Sequence, residues 1–186
     1  MARRNGTTRN ETFDEQARRT KLPVFNAEVA RRLGEIVVNI AGRRSLPIAV
    51  GVALPDRPLY FCALEGSNAE NVDWIRRKEN TVFRFERSSL EVGVMLEGDG
   101  QRVASLGLPE QRYSAFGGGV PLRVANRGVV GAMCVSGLDH VADHELVVEA
   151  LCWHLGVPHF NAVLPYVAAA SRRRTSPSSE RRAAGA

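Results

Sequence analysis

Phe25, Val29, Leu33, Ile36, Val37 and Ile40 recur at steps of three and four, the spacing that lines one face of an α-helix. Asn26 stands where an N-cap is wanted and Gly42 where a helix stops. Just ahead, residues 13–21 fit a short helix. The period then changes. Two apolar runs, Leu46 to Leu54 and Leu59 to Leu64, flank the turn Pro55, Asp56, Arg57, Pro58, which predicts a β-hairpin. Both runs are apolar at successive positions, which predicts strands covered on both faces. Helical spacing returns over 69–87, with Val72, Ile75, Val82 and Phe85 facing a core and Arg76, Arg77, Glu79 and Glu86 facing water. Residues 88–96 fit either a strand or a continued helix, and Gly98, Asp99 and Gly100 mark a turn. A short helix is expected over 109–115, before Gly117, Gly118 and Gly119. Val120 to Ala125 and Val129 to Ser136, joined through Asn126, Arg127 and Gly128, form a second hairpin signal. The helix expected over 143–155 lines up Leu146, Val147, Ala150, Leu151 and His154, and residues 160–170 read as a short C-terminal helix.

Strands joined as hairpins imply an antiparallel sheet, and the intervening helices must pack on it. The expected class is therefore α+β, with two hairpins and packed helices in one domain. No dinucleotide-binding or P-loop fingerprint is present. The chain has 186 residues, enough for one sizeable core. It divides into an N-terminal tail at 1–21 (disordered or partly helical), a domain at 22–156, a helical extension at 157–170, and a disordered basic tail at 171–186.

Charge sharpens this division. The first 21 residues carry +3 and the last 16 carry +4, so residues 22–170 hold −2 of the total +5. A body of this sign argues against specific nucleic-acid binding. No apolar run is long enough for a membrane span. The N-terminus lacks the apolar stretch of a secretory signal. Cys62, Cys134 and Cys152, odd in number and each within an apolar segment, read as reduced thiols of a cytoplasmic protein.

Several residues carry candidate chemistry. His140 and His144, four apart on one helix face around Asp143, could reach one metal ion, the basis of a metal-dependent hydrolase reading. Gly118 and Gly119, with Gly117, could offer backbone amides to an anion, or simply form a tight turn. Ser136 has no base near it in sequence. Arg77, Lys78 and Arg84 could bind a carboxylate such as a heme propionate, or form a solvated helix face or an inter-subunit ion pair. Cys134, Met133, His154 and His159 are conceivable iron ligands.

Three blocks carry a family resemblance. They are residues 71–78 with Arg84, Phe85 and 88–90; residues 117–123; and residues 128–138 followed by 143–151. Together they resemble the HbpS/GlcG-like superfamily, whose name carries a heme-degrading label, over about 22–156. The resemblance implies a profilin-like antiparallel sheet, assembly into a homo-oligomer, and a small ligand, with heme as the candidate cofactor. It also implies structural or ligand-facing roles for Asp143 and His144. Heme-binding relatives can place an iron-ligating histidine in the first helix, and residues 24–42 here contain none. A non-enzymatic assembly or adaptor protein is the alternative function, and whether any reaction is catalysed stays open.

Overall fold

The computed structural model describes residues 13–159. Helix α1 spans Ala27–Arg44, strand β1 Ala49–Ala53, β2 Pro58–Ala63, helix α2 Ala69–Phe85, α3 Ser89–Gly98, β3 Gly119–Val124, β4 Gly128–Ser136 and α4 His140–Leu155. The four strands form one antiparallel sheet in the order β2-β1-β4-β3. The fold is α+β, as the two hairpins imply. The tail at 1–12, the helix expected at 160–170 and the tail at 171–186 lie outside the described residues.

Alternation along the strands feeds two cores. Val50, Val52, Met133 and Val135 point to the face covered by α1 and α4, where they meet Leu33, Val37, Val147 and Leu151. Ala49, Ala132 and Cys134 point to the opposite face and meet Ile75 and Val82 of α2. Leu22 seals the outer edge of β3 through its amide, which donates to the Arg123 carbonyl at 2.8 Å. A helical segment at 13–19 closes one end. Its Phe13 packs against Leu90, Val94 and Val141.

Five local expectations need correction. The first helix does not stop at Gly42. The added turn costs only the weak helix propensity of glycine, about 1 kcal/mol. It is tied down by Arg44, which donates to both carboxylate oxygens of Glu149 on α4. Ser45, in the left-handed region at φ 52°, ends the helix. Next, β2 is not covered on both sides. It is an edge strand of the sheet, and α2 lies over β1, β3 and β4, so Phe61 stays 47% exposed. Residues 88–96 form neither a strand nor a continuation of α2. Glu86, at φ 51°, ends α2, and Ser88 restarts a helix by accepting a hydrogen bond from Glu91 N. Leu90, Val92, Val94 and Leu96 are all buried, which erases the one-sided stripe by which a helix is read. The short helix expected at 109–115 is a single turn, closed on the Pro109 carbonyl by Arg112 N and Tyr113 N. A 3₁₀ turn lies instead at Val103–Leu106. Finally, α4 begins three residues earlier than expected because Asp139 accepts from Val141 N and caps it.

Glu79 also departs from the water-facing role expected of it. It lies over Gly51 of β1, and burial pushes its carboxyl up to about 7, against the pull of Arg76. A carboxyl so raised is harmless below its ordinary value near 4.5 and lowers stability as pH rises through about 7. Glu79→Gln is therefore expected to stabilise the fold by about 2 kcal/mol at pH 8 and by little at pH 5. Urea unfolding at the two pH values measures this, and an equal effect at both would refute it.

Candidate functional site

The resemblance-bearing blocks converge on the junction of α2, the glycine run and the start of α4. Lys78, on α2, is 2% exposed, so it is not part of a solvated helix face. Its ammonium donates to Asp143 Oδ2 at 2.8 Å and to the Val135 carbonyl at 2.8 Å. Asp143 Oδ1 accepts from Leu138 N at 3.0 Å, which fixes the turn into α4. Burial raises the Asp143 carboxyl above its ordinary range, and the Lys78 charge opposes that rise. Gly118 lies beneath this pair at φ +115°. A Cβ there would stand 2.4 Å from the Val135 carbonyl oxygen and 2.6 Å from Lys78 Nζ, so only glycine fits.

The glycine run is therefore a packing element and not an open anion cradle. Gly119 N donates to Ser89 Oγ at 2.9 Å, and Gly117 N donates to His140 Nδ1 at 3.4 Å. Gly117 is itself pressed against the His140 backbone, where a Cβ would meet the carbonyl oxygen at 2.2 Å. Ser136 is 4% exposed at the end of β4, opposite Ala49.

His140 and His144 meet different partners. His144 is fully buried, with Nε2 2.9 Å from Gln16 Oε1 and its ring edge-on to Phe13. Its Nδ1 has no hydrogen-bond partner among the described residues, and burial drives its pKa down to about 3. His140 instead turns its ring to Phe116, with centroids 5.7 Å apart. No group of three or more His, Cys, Asp or Glu among the described residues is placed to hold a metal ion. Cys134 and Met133 are wholly buried in β4, and burial pushes the Cys134 thiol well up.

Arg77, Lys78 and Arg84 do not converge. Lys78 is internal and Arg84 is exposed, while Arg77 borders a cleft of about 800 Å³. The cleft runs between α2, α3 and the segment 100–116, and His140 also lines it. Leu90, Val94 and Leu96 supply apolar lining, and Phe13 backs Leu90 and Val94. Trp74, Phe116 and His140 form an edge-to-face aromatic series along the wall, with Trp74 and Phe116 centroids 5.6 Å apart. The Arg77 guanidinium sits over Trp74 at 4.8 Å, and its buried Nε has no hydrogen-bond partner among the described residues. Arg102, Glu97 and Glu110 also line the cleft. Sequence reading missed Trp74, Phe116 and Tyr113. The available signals were Trp74 three residues before Arg77 on one helix, and an aromatic residue directly ahead of the glycine run.

Residues 25–152 match the sequence model of the family described as "Haem degrading protein HbpS-like". The chain belongs to the HbpS-like family. Among curated relatives, the "UPF0303 protein" of Paraburkholderia phytofirmans is 45% identical over 135 residues, covering 72% of this chain and 82% of that relative. Among solved structures, the Ybr137w protein superposes with a TM-score of 0.72 at 26% identity, covering 78% of this chain and 87% of that one. The PduOC–heme complex superposes with a TM-score of 0.58 at 14% identity, covering 75% and 100%, a likeness of fold. This HbpS-like chain has no helix among its described residues long and apolar enough to cross a membrane.

Proposed function

We propose that this HbpS-like protein binds a small planar ligand bearing an acid group, with heme the first candidate, in the cleft between α2 and α3. The observation that carries this is the wall itself: Arg77 stacked on Trp74, continued by Phe116 and His140. Phe116 is 50% exposed, so a flat ligand laid against it would remove apolar surface from water. The Arg77 fork, at the wall of the cleft, suits a carboxylate. The cleft volume of about 800 Å³ lies within the roughly 300–1,000 Å³ of sites for drug-sized ligands. The family match and the heme bound by PduOC support heme as the first ligand to try.

Titrating hemin into the purified protein tests this. A saturable, sharpened Soret band is expected, with affinity falling about tenfold in Trp74→Ala and in Arg77→Ala. Wild-type affinity in both variants would remove the cleft as the site. Self-association belongs to the same reading. β2 is the edge strand opposite β3, whose own edge Leu22 bridges, and its exposed Phe61 offers a second copy both a sheet edge and an apolar contact. Phe61→Glu is expected to lower the assembly mass seen by light scattering.

A further inference from the structure

We infer that the cleft recognises its ligand by ring and acid group alone, so that a metal-free porphyrin binds as well as hemin. This rests on the reading that the cleft takes a planar acid, and it goes beyond that reading by excluding iron from recognition.

All four histidines of the chain are among the described residues, and His140 alone of them lines the cleft. His144 is sealed against Gln16 and Phe13. His159 lies 3.5 Å from Glu145, and His154 sits in the last turn of α4, within the field of Arg32. Cys134, Cys152 and Met133 are inside the cores, Cys62 is on β2 at the far edge of the sheet, and exposed Met95 does not line the cleft.

His140 is held in the wrong state for a metal. Its Nδ1 accepts from Gly117 N, so the neutral ring carries its proton on Nε2. Binding iron through Nε2 would move that proton to Nδ1, where it would face the Gly117 N–H donor against donor. Binding through Nδ1 would displace Gly117, whose backbone is already wedged against the His140 carbonyl. Heme iron is held by His, Cys, Met or Tyr. Tyr113 is the other described cleft residue of these types, and its ring packs with Val92, Leu96 and Val103, while Glu97 and Glu110 on the cleft are exposed carboxylates. What the cleft does offer, an aromatic face and the Arg77 guanidinium, acts on the macrocycle and its carboxylates and is indifferent to the metal.

Hemin and protoporphyrin IX should be titrated in parallel into full-length Trp153→Phe protein, reading the quenching of the remaining Trp74. Trp153 is 67% exposed and does not line the cleft. The expected result is protoporphyrin IX binding at least as tightly as hemin, to within about threefold. Arg77→Ala should weaken both equally. Hemin tighter by tenfold or more would overturn the inference while leaving the cleft assignment standing, and loss of that excess in His140→Ala or Tyr113→Phe would name the ligand. Saturation by neither would overturn the cleft reading and this inference together.

Discussion

Asp143→Ala is expected to lower the unfolding free energy by about 3–5 kcal/mol, because it strands a buried charge. The side chains of Lys78 and Asp143 are each 3% exposed, and their charged atoms are 2.8 Å apart. Once the carboxylate is removed, the ammonium keeps the Val135 carbonyl and has no counter-charge in this hydrogen-bonded set. Leu138 N loses its acceptor as well, which loosens the turn into α4. The double variant Lys78→Met/Asp143→Leu removes both charges with similar volume and should recover most of the loss. Urea unfolding at pH 7 compares the three proteins. A loss below about 1 kcal/mol in the single variant would mean that Lys78 finds water or another partner on its own.

His144 should make the protein acid-sensitive between about pH 6.5 and pH 3. Its folded pKa is near 3 because the ring is fully buried, with the nearby His140 and Lys78 also opposing a second positive charge. The unfolded chain binds the proton near 6.5, so it takes up protons first as pH falls, and acid favours unfolding. Stability contributed by neutral His144 is fully present above about 6.5 and declines by about 2 kcal/mol at pH 5 and about 3 kcal/mol at pH 4. Glu79 and Glu145 act in the opposite sense, since burial raises both to about 7. The observable is therefore a difference. His144→Gln keeps an uncharged polar group near Gln16, and its stability deficit against the wild type should shrink by about 2 kcal/mol from pH 7.5 to pH 5. A pH-independent deficit would show that His144 does not carry this titration.

The sequence by itself determined the order of the four strands and of helices α1, α2 and α4, the two hairpins, the antiparallel sheet and the N-cap at Asn26. Each depends on periodicity or turn chemistry within about a dozen residues, which a linear pattern contains. It also placed Gly118 and Lys78 among the candidate residues through their chemistry, and Asp143 and His144 through their spacing and the family resemblance. Only the tertiary structure decided what those residues do. Lys78 and Asp143 are 65 positions apart, and they meet because β4 lies centrally in the sheet, with α2 on one face and α4 starting at its end. Nothing local distinguishes Lys78 from a solvated neighbour such as Arg84. The cleft was equally hidden, because Trp74, Phe116 and His140 come from three segments that touch only after the glycine run closes on α4. Helix α3 read ambiguously for the same reason: burial on all sides removes the polar face from which a period is read. Which side chains are stripped of water depends on which helix covers which strand, and that is a property of the assembled layers.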